Sequence, residues 1–295
     1  MGMTAAVVRL IDTDAARQPV VDLAVAYGHQ AIRNVVRTLG NGNAMIEPGT
    51  ALVTGGARRI GRAIVVALAD AGYAVAIHTH RSGAEAEALA AAIADRGGRA
   101  VVVRADLAEP AEVDGLVTAA AAAFGPLTLL VNNASEFVED HLGSLTREVW
   151  NRQFRVNIQT PSFLAQDFAA QAPAGSSIVN VTDQRVFKPT PHFYSYGLTK
   201  VALTAATVAM AQALGPRIRV NAVAPGPSLQ GARQGPEDFA RQTAATLTGT
   251  GSPPAAIAEA VLYLARASAV TGVTLPVDGG QHLMWQTPDV VGIRE

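Results

Sequence analysis

Three residues in this chain have the types and spacing for proton transfer: Asp183, Tyr196 and Lys200. Free tyrosine ionises near ~10, too high to exchange protons readily at neutral pH. An ammonium about ~5 Å away, at an effective dielectric near ~20, stabilises a phenolate by roughly 3 kcal/mol. That corresponds to about two pKa units. Tyr196 and Lys200 are four apart, so on a helix they share a face. The spacing therefore predicts a tyrosine pKa lowered by its lysine.

A second set is suited to phosphate. TGGARRIG at Thr54–Gly61 places Gly55, Gly56 and Gly61 between an apolar run and a helical pattern. Glycines there let the backbone approach a pyrophosphate, and a helix amino terminus adds free N–H groups and a positive dipole end. After the first strand of a βαβ series, such a loop implies dinucleotide binding. The next strand ends in Thr79–His80–Arg81–Ser82, with no acid to accept ribose hydroxyls. Arg81 can fork onto a phosphate, and Ser82 and the His80 ring can donate to it. Arg58 and Arg59 add positive charge in the neighbouring loop. The pattern favours NADPH over NADH; the other reading leaves these as solvated surface residues. His78 and His80 form an HxH pair, but no third ligand is evident, so no metal is expected.

Beside a nicotinamide, Asp183 narrows the substrate. An ionised aspartate only accepts hydrogen bonds and repels a developing alkoxide. A ring nitrogen needs the opposite, because it gains a proton as hydride reaches the adjacent carbon. Asp183 can polarise Tyr196 for that step or share a proton with it through a water. Imine reduction fits better than simple ketone reduction. Capping a turn is the other role open to Asp183. Thr182 is one position off register and points to the other side of an extended segment.

These residues must be positioned by a regular alternation. Ala51–Thr54, Ala74–Thr79, Ala100–Val103, Leu127–Asn132, Ile178–Val181, Ile218–Ala224 and Thr274–Val277 read as strands. Helices are expected after the glycine loop to Gly72, over Ala84–Asp95, Ala111–Phe124, a long stretch to about Ala172, Tyr196–Leu214 and Ile257–Ala265. The alternation predicts an α/β fold: one doubly wound, Rossmann-type parallel sheet with helices on both faces. Ligands bind outside the carboxyl ends of such strands. Gly55–Gly61, His80–Ser82, Asp106, Asn132–Phe137, Asp183 and Pro225–Ser228 all fall there. The expected domain is 49–285, preceded by an extension at 1–48 and followed by a tail at 286–295. Pro225–Ser252, rich in Gly, Pro and Thr, is expected to be a mobile substrate cover.

Composition limits the partners. The chain has 295 residues, 49% of them apolar, no cysteine and a formal net charge of −1. There is no basic surplus for a nucleic-acid backbone. The absence of cysteine excludes disulfides and thiolate chemistry, and fits a cytoplasmic setting. No uncharged apolar run reaches the ~18 residues that span a bilayer, and the amino terminus lacks a secretory pattern.

From about Thr50 to Leu283 the chain resembles the short-chain dehydrogenase/reductase family. TGGARRIG, NNA at Asn132–Ala134, Asn157 in VNIQTP, YGLTK at Tyr196–Lys200 and PG at Pro225–Gly226 stand in that family's order. The resemblance implies that Tyr196 donates the proton, that Lys200 activates it and contacts ribose, and that Asn157 organises a relay water. It makes Asp106 an adenine contact. It adds Ile60, Leu107, Asn133, Ala134, Pro225 and Gly226 to the cofactor contacts. Three departures resemble the pteridine reductase branch, which includes bacterial dihydromonapterin reductases. Arg59 stands for a usual glycine, NNAS replaces NNAG, and Asp183 replaces a catalytic serine. HTHRS and the ending PVDGGQHL resemble that branch too.

By that resemblance Arg59 touches pyrophosphate and substrate, and Ser135 touches cofactor or pterin. Phe137 covers one face of the pterin, with nicotinamide on the other; Ser228 joins the substrate contacts. On the residues alone, a core aromatic is the default reading of Phe137 without the neighbouring Ser135, and Ser135 could equally be a loop cap. The resemblance implies a homotetramer. Carbonyl reduction and non-catalytic NADP sensing are the rival functions.

Overall fold

The apolar runs become parallel strands: β1 (Thr50–Val53), β2 (Ala74–Thr79), β3 (Arg99–Arg104), β4 (Leu127–Asn132), β5 (Ser176–Val181), β6 (Ile218–Pro225) and β7 (Thr274–Val277). The computed structural model describes residues 48–231, 234–287 and 291, all within a unit spanning Glu47–Glu295. The extension expected at 1–48 lies outside the described residues except for Pro48, as does most of the tail at 286–295. Among the described residues the strands form one sheet in the order β3-β2-β1-β4-β5-β6-β7. Every neighbouring pair is parallel. Every residue of β1, β2, β5 and β6 is buried, as a sheet covered on both faces requires.

One face carries α1 (Arg59–Asp70), α2 (Gly83–Ala94) and α9 (Pro254–Arg266). Ile64, Val65, Leu68, Leu89, Ile93, Val261 and Leu264 fill the core beneath them. The other face carries α3 (Pro110–Val113), α4 (Leu116–Phe124), α5 (Arg147–Phe154), α6 (Thr160–Gln171) and α7 (Tyr194–Leu214). Leu116, Val117, Leu164, Phe168 and Ala211 pack there. Chain order reverses between β1 and β4, which are neighbours in the sheet. Beyond their carboxyl ends lies the crevice where this topology takes ligands.

Three local expectations change. The helix expected at Ala111–Phe124 is two pieces, because Gly115 takes a φ of +84° and cannot continue a right-handed turn. The long helical stretch starts at Arg147, capped by the Thr146 hydroxyl on the Val149 N–H. It then passes through a π turn at Arg155–Gln159 before α6. Pro161 lacks the N–H that would bond the Asn157 carbonyl, so the ladder loosens there. The cover expected at Pro225–Ser252 contains a helix, α8 (Pro236–Ala244).

By length and composition α7 could cross a bilayer. It packs against β6 and buries Tyr196, Lys200 and Thr207.

Candidate active site

The glycine loop is tied to the end of β4. Asn133 Nδ2 donates to the Thr54 carbonyl at 2.8 Å and to that of Gly55 at 3.2 Å. The Thr54 hydroxyl accepts the Asn133 and Ala134 N–H groups at 2.9 and 3.0 Å. Gly55 sits at φ +62°, and a Cβ on Gly61 would lie 2.1 Å from the Gly55 carbonyl oxygen. Glycine is required at both positions. α1 opens at Arg59 with Arg58 extended and no side-chain cap. Its first N–H groups therefore remain for an anion, and the cradle fits a pyrophosphate. Arg59 itself has a φ of +53°. Its guanidinium donates to the Leu229 and Gln230 carbonyls, both at 3.1 Å, joining the glycine loop to the segment after β6.

His78 braces this loop from below. The Gly55 N–H donates to its Nδ1 at 3.0 Å, and its Nε2 lies 3.0 Å from the Ala105 carbonyl. An accepting Nδ1 puts the ring proton on Nε2. Burial pulls the imidazole pKa down to about 4, against the hydrogen bond to Ala105, so it is neutral. Both ring nitrogens serve the fold, and the described residues contain no group of three metal-ligating side chains. His80, Arg81 and Ser82 follow β2 at the crevice rim, and His80 Nε2 lies 3.8 Å from Asp106 Oδ2. Arg58 is solvated, 3.9 Å from Glu85.

The three residues expected to transfer protons come together. Tyr196 Oη donates to Asp183 Oδ2 at 2.9 Å. Lys200 Nζ lies 5.6 Å from the tyrosine ring centroid and donates to the Val181 carbonyl at 2.9 Å. Burial pulls the ammonium down to about 8, with Asp183 opposing. The tyrosine overturns the sequence expectation. Burial first, and then the adjacent carboxylate, push its pKa well above its ordinary 10.0; Arg185 and Ser135 pull the other way. The lysine alone does not set this phenol. Asp183 does take the turn-capping role left open for it: Oδ1 caps the following 3-10 turn through the Arg185 N–H at 2.9 Å.

Phe137 stands against Tyr196, edge to face, with centroids 4.6 Å apart. It is 44% exposed, so it is not a core aromatic. Its ring also stacks on Phe193 at 4.3 Å. Part of its surface is therefore already committed within the protein. Ser135 Oγ donates to Asn157 Oδ1 at 3.1 Å. Asn157 is fully buried. Its Oδ1 also takes the Glu136 N–H, and its Nδ2 donates to the Glu136 carbonyl and to Thr199 Oγ1. The amide is thus engaged on both its oxygen and its nitrogen within the protein. Its side chain shapes the loop that carries Ser135 and Phe137.

Other expected contacts are partly spoken for. Leu107 is buried, and its carbonyl accepts from Thr160 Oγ1 at 2.7 Å. Ile60 packs on the core. Asp106 lies at the rim, paired with Arg152 at 3.5 Å. Gly226 N–H donates to Val277 and Ser252, and Ser228 Oγ meets Ser252 Oγ at 3.0 Å.

Three contributors were not anticipated from sequence. Asp140, buried, accepts the Ser195 N–H at 3.0 Å and the Ser195 hydroxyl, and so caps α7 from outside. Phe193 precedes α7 at φ +56°. Arg185 grips Asp183. Only HFYSY at His192–Tyr196 carried a signal, an aromatic cluster just before the tyrosine.

A glycine cradle at the switch point of an open parallel sheet, with a buried tyrosine–lysine pair beside it, defines a dinucleotide-dependent oxidoreductase. A family model described as enoyl-(acyl carrier protein) reductase matches residues 55–282. The chain belongs to the short-chain dehydrogenase/reductase family. It is 48% identical to the FolM alternative dihydrofolate reductase 1 of Brucella canis, solved with NADP, with a TM-score of 0.81 over 84% of this chain and 99% of that one. The angucycline C-6 ketoreductase LanV, solved with NADP, is 35% identical, with a TM-score of 0.75 over 80% of this chain and 96% of that one. A Streptomyces violaceoruber protein, named for a ketoacyl reductase of the granaticin polyketide synthase, is 38% identical over 81% of this chain and 98% of its own.

Proposed function

We propose that the protein is an NADPH-dependent pteridine reductase acting on a dihydropterin or dihydrofolate-like ring. The observation that carries this is the 2.9 Å hydrogen bond from Tyr196 to Asp183. A carboxylate at that position suits a ring nitrogen that gains a proton, and it opposes an alkoxide. Phe137, 4.6 Å from Tyr196, supplies an aromatic wall for a flat heterocycle. The likeness to the Brucella canis protein supports both substrate class and cofactor.

Gly55, Gly61 and the start of α1 hold the pyrophosphate. His80, Arg81 and Ser82 hold the 2′-phosphate, and Asp106 meets the adenine. NADPH supplies the hydride when bound. Tyr196 delivers the proton to the ring nitrogen. Lys200 positions ribose and supplies positive charge to the phenol. Arg59, Ser135, Phe137 and Ser228 hold the substrate.

A second reading, reduction of a ketone or 3-oxoacyl group, is favoured by the two ketoreductase-named relatives. NADPH oxidation with dihydrobiopterin, dihydromonapterin and a 3-oxoacyl ester separates the two. Turnover of a dihydropterin is the expected result; turnover of the ester alone overturns the first reading. Loss of turnover in Tyr196→Phe, with NADPH binding retained, excludes a cofactor sensor. We place the working form as a homotetramer in the cytoplasm. The exposed apolar Phe163, Val201 and Val208 on α6 and α7 support self-association, which light scattering would test.

A further inference from the structure

Arg185 lies on the 3-10 turn Gln184–Val186, directly after Asp183 leaves β5. Its Nη1 donates to Asp183 Oδ1 at 3.2 Å and to Oδ2 at 3.1 Å. The Arg185 backbone N–H and Tyr196 Oη complete the bonds on that carboxylate, both at 2.9 Å. Every acceptor site of Asp183 is then occupied, two on each oxygen. The arginine and aspartate side chains are only 19% and 15% exposed. The guanidinium carbon also lies 5.6 Å from the Phe137 ring centroid and 5.2 Å from that of Phe193. One group thus grips the carboxylate and backs the aromatic wall. Its Nε–H is buried and finds no acceptor among the described residues. Orphaned buried donors are disfavoured, so this placement serves something other than stability alone.

The proton step explains the need. When Tyr196 acts, its O–H bond breaks and the electron pair stays on the phenol oxygen. The proton forms a new N–H bond on the substrate, whose adjacent carbon takes the hydride. A phenolate then faces a carboxylate at hydrogen-bond distance in a buried site. Two such charges repel strongly where the dielectric is low. Asp183 raises the phenol's pKa and Arg185 lowers it.

We propose that Arg185 is a positioning residue for the reaction: its guanidinium aims the Asp183 carboxylate at the Tyr196 hydroxyl and offsets that carboxylate's charge as the phenol gives up its proton. This rests on the reading of Tyr196 as proton donor, and holds whichever substrate accepts the proton.

The test compares wild type, Arg185→Gln, Arg185→Lys, Asp183→Asn and the Asp183→Asn/Arg185→Gln double variant. Each is assayed on dihydrobiopterin, or on the 3-oxoacyl ester if wild type reduces only that. Ester-only activity removes the pterin reading and leaves the Arg185 test intact. Losing the guanidinium charge beside the phenol should lower kcat of Arg185→Gln roughly 10- to 100-fold. NADPH affinity by fluorescence titration should stay within about twofold, because the effect lies on the proton step. Arg185→Lys keeps the charge without the planar fork and should recover part of the loss. With Asp183→Asn no carboxylate charge remains to offset, so adding Arg185→Gln should cost less than about threefold more. Full kcat in Arg185→Gln, losses that multiply in the double variant, or NADPH binding that falls in step with kcat would each overturn the role.

Discussion

Lys200 is the residue whose titration falls in an accessible range. Its folded pKa of about 8 lies below its ordinary 10.5 because the ammonium is buried. On the proposed role, in which the charged lysine supports Tyr196, that support is lost as pH rises through about 8. The expected outcome is a kcat for reduction that declines above that pH, with the limb absent in Lys200→Met, whose basal rate is low throughout. Asp183→Ala is expected to lower kcat on pterins more than ~10-fold while NADPH affinity barely changes; equal activity would remove its part in the chemistry. Arg81→Ala should weaken NADPH binding far more than NADH binding, by roughly 1.5–3 kcal/mol for a charged hydrogen bond. Equal weakening of both would remove its phosphate role.

At this scale the sequence was legible where the chemistry is local. The glycine loop, the Tyr196–Lys200 spacing and the missing acid after β2 each sit within a few residues. The direction of the Tyr196 shift was not legible, because burial and the partner thirteen positions away both come from the fold. Arg185 escaped notice for the same reason. An arginine two residues after an aspartate is unremarkable until β5 ends and the turn brings them face to face.

Among the elements, α7 decides most. It carries Tyr196 and Lys200, and its first turn is held by Asp140 rather than by its own N-cap, Phe193. The carboxylate sits at the positive end of the helix dipole. Phe193, in the left-handed region that disfavours large side chains, thereby lies flat on Phe137. Asp140→Ala leaves the Ser195 N–H and hydroxyl without their acceptor. Its expected cost is about 2–3 kcal/mol of stability, together with a fall in kcat as Tyr196 loses register; urea unfolding and steady-state kinetics check both. The seven strands and their order of appearance were legible from alternation alone. The breaks at Gly115 and near Pro161 were not, since apolar periodicity runs through them. A capping residue that comes from a loop 55 positions upstream leaves no periodic trace.

The whole molecule has a stability that depends on pH through His78. Its folded pKa of about 4 lies below the ordinary 6.5. A depressed pKa means the contribution is complete above 6.5 and is lost as pH falls towards about 4. The full difference corresponds to roughly 3 kcal/mol. Urea unfolding at about pH 5 should therefore show roughly 2 kcal/mol less stability than at about pH 7, and His78→Gln should shrink that gap. Lys200 acts in the same sense at the alkaline end. Its contribution to folding grows as pH rises from about 8 towards 10.5, where charge on the unfolded chain would otherwise be retained. Catalysis and stability thus move in opposite directions above neutrality. NADPH at about 100 times its Kd should add roughly 2.7 kcal/mol to unfolding, read as a rise in Tm that is clearly smaller with Arg81→Ala at the same concentration.

The bonds from Asn133, Thr54 and His78 to the glycine loop carry one more consequence. A dinucleotide arriving at this crevice meets a receptor whose main chain has already surrendered its conformational freedom. Little disorder remains to be frozen out on docking, so the nucleotide's own loss of motion should dominate the entropy of association. Cutting one tether, as in Asn133→Ala, should appear in calorimetry as a larger entropic penalty, with the direct phosphate contacts unchanged.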